Sequence, residues 1–183
     1  MKIPEHAKQV FKGIIFDVYQ WNQKLYDGST AIFEALKRPA TIQIIPIFKR
    51  KILLSYEEQP GKSRTYTFFG GRQEEGEEPL FTAKRELLEE TGLESTDWEL
   101  IKIYHSEGKI DWSTYFYVAR NCKKTAPQKL DAGERIEIKE VNFEDFLNIL
   151  ESENFWNDTI ATDIFKMRYK YTDRLTEFRK KLE

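Results

Sequence analysis

Glu86, Glu89 and Glu90 recur at i, i+3 and i+4. On a helix turning about 100° per residue, that spacing sets three carboxylates in a wedge about 100° wide. They close an acidic stretch, Gly70 to Leu93, in which Glu74, Glu75, Glu77, Glu78 and these three outnumber Arg72, Lys84 and Arg85. Like charges so placed destabilise a helix by a few tenths of a kcal/mol per pair unless something positive stands between them. One reading is a solvated face with Lys84 and Arg85 alongside. The other is a site for a hard divalent cation, since Mg²⁺ takes a few carboxylates together with substrate phosphates. Charge by itself does not choose between them.

The helix carrying these acids is expected over about Pro79 to Thr91, with Pro79 in the first turn and Gly92 as the C-terminal cap. Leu80, Ala83 and Leu87 then lie beside the acidic wedge and Phe81 and Leu88 roughly opposite, so the helix can pack while the acids face a cleft. Upstream, Gly13 to Trp21 and Thr30 to Leu36 read as two strands about a turn at Tyr26 to Ser29, where Asp27-Gly28 is a hairpin dipeptide. Ala40 to Phe48, Lys51 to Tyr56 and Thr65 to Phe69 are β-branched, apolar or aromatic, and read as core strands. Downstream, Trp98 to His105, Ser113 to Arg120 and Arg135 to Val141 carry strand character, with Gly108 to Asp111 as a turn. From Asn142 onward apolar residues recur at helical spacing, first Phe143, Phe146, Leu147 and Leu150, then Ile160, Ile164, Phe165, Met167 and Tyr171. One central helix, strands on either side and terminal helices predict an α/β sandwich around a mixed sheet.

The chain of 183 residues suits one domain, residues 1–183, without repeats or low-complexity tracts. A net charge of −2 and a pI near 5.9 argue against nucleic acid or an anionic membrane as partner. Cys122 is a single cysteine and cannot form an internal disulfide, and the opening MKIPEHAKQVFKG has no apolar signal-peptide run. With no membrane span in the sequence, the expected compartment is the cytoplasm. Two histidines, His6 and His105, a lone cysteine and the lack of GxSxG leave serine, thiol and zinc hydrolases without support.

Gly71, five residues, Glu77, seven residues, then Arg85-Glu86-Leu87-Leu88-Glu89-Glu90-Thr91-Gly92-Leu93 fill every position of GX5EX7REUXEEXGU, U being aliphatic. This stretch, residues 71–93, resembles the signature of the Nudix hydrolases. The resemblance implies an α/β/α sandwich around a mixed β-sheet, with an N-terminal β-hairpin at about 13–36 and C-terminal helices. It also implies a loop-helix-loop that binds Mg²⁺, with Mn²⁺ as a substitute, and hydrolyses a nucleoside diphosphate linked to another group. Carried onto matching positions, it makes Glu86 and Glu90 principal metal ligands and Glu89 a further or water-mediated ligand. The Gly70 carbonyl becomes a backbone ligand, Arg85 a brace for the helix and Glu77 a support for the loop.

Leu25 to Ile47 is further similar to ADP-ribose and nucleotide-sugar pyrophosphatases, through the segment Phe33-Glu34-Ala35-Leu36-Lys37-Arg38. In those relatives the hairpin crosses to a second subunit. The implication is a homodimer in which Phe33 stacks on a base and Arg38 contacts phosphate or base edge. Phe33 packed in a dimer core and Arg38 as a surface cation are the alternatives. Leu130 to Ile138 resembles the loop that delivers a general base, which falls on Glu134 with Glu137 as the second candidate. Other positions depart from the ADP-ribose pattern: Glu58 where a basic residue is usual, Thr67 for a glutamate, Phe69 for a proline, and no proline about fifteen residues beyond the signature. The expected activity is hydrolysis of ADP-ribose or a nucleotide sugar to a nucleoside monophosphate and a sugar phosphate. A nucleoside-triphosphate pyrophosphatase and a catalytically silent nucleotide sensor are the other readings.

Overall fold

A computed structural model of the chain describes residues 2–156 and 158–183. It opens with an antiparallel meander, β1 (Lys8–Lys12), β2 (Asp17–Lys24) and β3 (Thr30–Lys37), whose second turn is held by Ser29 donating to the Asp27 carboxylate from N–H and hydroxyl at 2.9 and 2.6 Å. Next come β4 (Thr41–Phe48), β5 (Lys51–Glu58), β6 (Thr65–Thr67), α1 (Pro79–Thr91), β7 (Leu93–Glu94), β8 (Asp97–His105) and β9 (Ile110–Asp111). The chain finishes with β10 (Ser113–Arg120), β11 (Lys123–Lys124), β12 (Arg135–Val141), α2 (Phe143–Leu150), α3 (Asp158–Tyr169) and α4 (Thr172–Lys181).

The central sheet runs β12-β5-β4-β10-β8, with β6 also on β5, and is mixed because β4 and β10 pair in parallel, Ile44 opposite Tyr117. Both faces of this sheet are covered, so its strands are apolar on both sides and alternate only in what they touch. Ile42, Ile44, Leu53, Tyr117 and Ala119 pack with Ala83 and Leu87 of α1. Ile45, Ile47, Ile52, Leu54, Phe116 and Val118 pack with α2, α3 and α4 through Phe146, Leu147, Ile160, Ile164 and Phe178. The result is the expected α/β/α sandwich.

Helix α1 has the expected limits. Pro79 occupies its first turn, and Gly92, at φ 65°, turns the chain out of the helix while its N–H bonds to the Leu88 carbonyl at 2.7 Å. A Cβ at Gly92 would meet the Ala126 carbonyl oxygen at 2.0 Å, so the position suits glycine alone. The buried stripe differs from the expectation. It comprises Thr82, Ala83, Leu87, Glu90 and Thr91, whereas Phe81 is 61% exposed. One of the acids therefore belongs to the core-facing side of the helix.

The N-terminal region also departs from its expected limits. The second strand begins at Asp17, because the Asp17 carboxylate accepts from Gly13 N–H at 3.2 Å and ties residues 13–17 into a bend. Exposed β1 precedes that bend; none of its residues is buried, so it carries no hydrophobic alternation to be read. Ile110 and Asp111, expected in a turn, pair in parallel with Leu36 and Lys37, which joins the meander to the strand that follows. Such a two-residue pairing is set by docking, not by local propensity.

Leu87 is fully buried between the acidic helix and the sheet. Replacing it with alanine is expected to cost about 3 kcal/mol, or roughly 10 °C in Tm for a chain of this length, measured by thermal unfolding. A shift under about 2 °C would mean that α1 is not anchored through this residue.

Candidate active site

The loop entering α1 approaches the sheet closely. Gly70 has φ 128°, and a Cβ there would stand 2.1 Å from the Ile42 carbonyl oxygen, so a side chain cannot be accommodated while Ile42 keeps its place in β4. The Gly70 N–H donates to Glu90 Oε2 at 2.6 Å, which pins the last turn of the helix to the first turn of the loop. Glu90 is only 4% exposed. Gln128 Nε2 donates to the Glu90 carbonyl at 2.7 Å and Lys129 N–H to the Glu89 carbonyl at 2.8 Å, so the segment after β11 closes over the helix end.

Arg85 organises the other acids. Its Nε and Nη2 grip both oxygens of Glu77 at 2.9 and 3.2 Å, and its Nη1 reaches Glu86 Oε1 at 2.9 Å and Glu89 Oε2 at 3.0 Å. Glu77 also accepts from Thr82 Oγ1 at 2.7 Å and Glu74 N–H at 3.2 Å. Those bonds, Arg85 foremost, hold the Glu77 carboxyl down to about 2. The same pairing raises Arg85.

The remaining carboxyls shift the other way. Burial pushes Glu86 up to about 7, opposed by Arg85 and reinforced by the charges of Glu89 and Glu134. Burial also raises Glu90 well above the usual carboxylate range, against the Gly70 hydrogen bond and with help from Glu86, Glu134 and Glu57. Glu134, in the turn before β12 where its N–H bonds to the Asp131 carbonyl at 3.0 Å, thus lies within electrostatic reach of both helix acids. Glu137 does not. It sits on the opposite side of β12 and pairs with Lys139 and, at 3.7 Å, with Arg64.

A hard cation fits this donor set, which is all oxygen and short of compensating charge. Among the described residues, however, no three His, Cys, Asp or Glu side chains already stand in a metal-holding arrangement. The reason is local: Arg85 draws Glu86 and Glu89 toward itself, and Glu90 is turned to Gly70.

Arg38 and Phe33 are separated. The Arg38 guanidinium lies 4.8 Å from the Trp112 ring and 5.5 Å from the Phe16 ring, its Nη2 donates to Thr41 Oγ1 at 3.3 Å, and its buried Nε lacks a hydrogen-bond partner. It borders a cleft of about 600 Å³ between the meander and the loop before α1, shared with Lys12, Tyr19, Lys37 and Arg72. Phe33 is outside that lining; it faces Trp21 across β2 and β3 with ring centroids 6.0 Å apart, and the Lys109 ammonium stands 5.5 Å from its ring.

Two residues of this region escaped the sequence reading. Arg72 joins Arg38 at the cleft, and its carbonyl accepts from Arg85 Nη2 at 3.4 Å. Glu57, on β5, adds its charge to the field at Glu90. Its signal was its parity with Leu53, which packs against α1, but a strand's inward side is evident only once the helix is known to cover it.

A mixed sheet between helical layers, with a glycine turn leading into an acidic helix beside one face, defines the Nudix hydrolases. Residues 37–162 match the NUDIX domain family, and the chain belongs to it: it is a Nudix hydrolase. Among its relatives is an ADP-ribose pyrophosphatase of Bacillus subtilis (strain 168), 31% identical over 169 residues, which span 89% of this chain and 90% of that one. A methanol dehydrogenase activator of Bacillus methanolicus is 28% identical over 155 residues, 82% and 84% of the two chains. The crystal structure of an ADP compounds hydrolase superposes with a TM-score of 0.72 at 20% identity, covering 93% of this chain and 94% of that one. A NUDIX hydrolase from Nitrosomonas europaea gives 0.58 at 20% identity over 72% and 89%. The last two likenesses concern the fold.

The raised carboxyls set a stability profile for the metal-free protein. A folded-state pKa above the unfolded one means that folded Glu86 keeps its proton between pH 4.5 and about 7 while the unfolded chain loses it. Stability must therefore fall as pH rises through that window. With chelator present, Tm is expected to drop between about pH 5 and pH 7.5, and Glu86→Gln or Glu90→Gln should flatten the drop and raise the neutral-pH Tm by a few degrees. Wild-type pH dependence in both variants would contradict the buried-charge account.

Proposed function

We propose that this Nudix hydrolase cleaves the pyrophosphate of ADP-ribose or a closely related nucleotide sugar in a divalent-cation-dependent reaction, releasing a nucleoside monophosphate and a sugar phosphate. The observation that carries the reading is the tie of buried Glu90 to the Gly70 turn, with Arg85 holding Glu86 on the same helix and the charge of Glu134, from a distant loop, acting on both acids. The relative named as an ADP-ribose pyrophosphatase, similar over most of both chains, supports the substrate class.

In this reading Glu86 and Glu90 would hold Mg²⁺ or Mn²⁺, with Glu89 and the Gly70 carbonyl as further donors, and the bound ion would supply positive charge to the pyrophosphate oxygens. Arg85 keeps Glu86 and Glu89 oriented, and its anchorage on Glu77 fixes the loop to the helix. Glu134 takes the proton from the attacking water, whose oxygen bonds to one phosphorus as the bridging P–O bond breaks. Arg38, stacked between two rings with a buried unpaired N–H, binds substrate phosphate or base edge from the cleft.

The meander leaves Phe11 59%, Ile14 95% and Ile32 71% exposed, which is apolar surface expected to be covered. The proposed cover is the same region of a second copy, giving a two-fold homodimer in which Phe33 serves the nucleotide pocket of the assembly. Among the described residues no helix is long and apolar enough to cross a membrane, and the proposed working place is the cytoplasm.

Two expectations test this reading. In a panel of ADP-ribose, nucleotide sugars, dinucleotides and nucleoside triphosphates, assayed with Mg²⁺ or Mn²⁺, ADP-ribose should turn over best; Glu90→Gln, Glu86→Gln and Glu134→Gln should each lower kcat by orders of magnitude with the fold retained by circular dichroism. No turnover of any member, or near-wild-type rates in the variants, would reject it. Light scattering at assay concentration should return twice the chain mass of 21.8 kDa, and removal of residues 2–36 should abolish activity. A fully active monomer would overturn the dimer.

A further inference from the structure

Beside the helix acids stands a carboxylate that the Nudix signature does not contain. Glu57 lies near the end of β5, opposite Ile136 of β12 on one side and Thr65 of β6 on the other, so its backbone is inside the sheet and not at an edge. Ile136 packs in the cluster that contains Ala83 and Leu87 of α1, and Leu53, two pairs of residues before Glu57 on the same strand, does so too. Glu57 therefore projects from the sheet face that α1 covers. Its neighbours on the other face are neutralised: Glu58 pairs with Arg135 at 3.9 Å, and Glu137 with Arg64 at 3.7 Å and with Lys139.

Glu57 makes no ion pair of that kind among the described residues, although the charge of Lys62 acts on it and opposes the effect of burial. Its oxygens accept from Ser55 Oγ at 3.3 Å and Gln59 Nε2 at 3.2 Å, both neutral donors. It is half-buried, and its charge adds to the repulsion felt by Glu90, as that of Glu134 adds to its own. Burial and the charge of Glu134 act against ionisation of this carboxylate, Ser55 and Lys62 offset them only in part, and a divalent cation would complete the compensation. The strand is held by ladders on both sides, which fixes the point from which the Glu57 side chain extends.

We propose that Glu57 is a further carboxylate donor to the divalent-cation site, supplied by the sheet, so that acids from α1, from the loop before β12 and from β5 enclose the bound cation. The proposal rests on the metal-dependent reading above and extends it beyond the signature helix. A carboxylate outside the helix raises the charge count of the site, which strengthens capture of hard cations in the absence of nucleotide.

The test is a Mn²⁺ titration of the whole chain without nucleotide, with free Mn²⁺ followed by electron paramagnetic resonance. Glu57→Gln is expected to weaken Mn²⁺ binding roughly tenfold or more. Glu58→Gln, the same charge change one residue away on the opposite face, should leave binding within about twofold, which separates a donor from a general effect of net charge. Glu57→Asp, which keeps the charge and retracts it, should weaken binding as well and serves as the reading should the glutamine variant not fold. Wild-type affinity in the folded variants, or equal losses in Glu57→Gln and Glu58→Gln, would overturn the proposal and leave the metal-dependent reading standing. A wild-type chain that binds no Mn²⁺ and hydrolyses nothing in the panel would overturn both.

Discussion

The arrangement turns on the guanidinium of Arg85. It grips both oxygens of Glu77 and touches Glu86 and Glu89, so a single fixed cation couples the start of the loop to the middle of the helix. Lysine could not do this, since only a planar fork can bind one carboxylate through two donors and still present a third edge to others. The same contacts keep the acids of the described residues from forming a closed cage, because Arg85 draws Glu86 and Glu89 to itself.

A second constraint comes from burial. Glu90 lies on the stripe that α1 turns toward the sheet, between Leu87 and Thr91, where its carboxylate accepts from the Gly70 N–H. An apolar residue there would make a better core. The position instead stores electrostatic tension, expressed as carboxyls raised above their usual range, and groups so perturbed cluster at functional sites, where stability is given up for function.

The rest of the molecule supplies rigidity. The central strands are buried on both faces, with α1 on one and α2 to α4 on the other, so the glycine turn and the strand residues near it have little freedom to move. The meander is attached more lightly, through the short pairing of β3 with β9 and the stacking of Arg38 on Trp112 and Phe16. Its position against the loop before α1 makes the cleft where Arg38 and Arg72 meet.

Spacing along the chain was sufficient for whatever depends on neighbours in sequence. The helix from Pro79 to Thr91 with its glycine cap and the strands Ser113–Arg120 and Arg135–Val141 all follow from local geometry and from a signature with fixed intervals. The bend at Gly13 that delays β2, the pairing of Ile110 and Asp111 with β3 and the exposure of Phe81 did not follow, because each is decided by what packs beside it. The same division runs through the site. Three glutamates on one helix were legible as a group, but their unequal burial was not, nor was the influence on them of the charges of Glu134 and Glu57. Helical periodicity relates residues on one element by fixed angles, whereas the distance between a helix, a strand and a loop exists only once the sheet has been assembled.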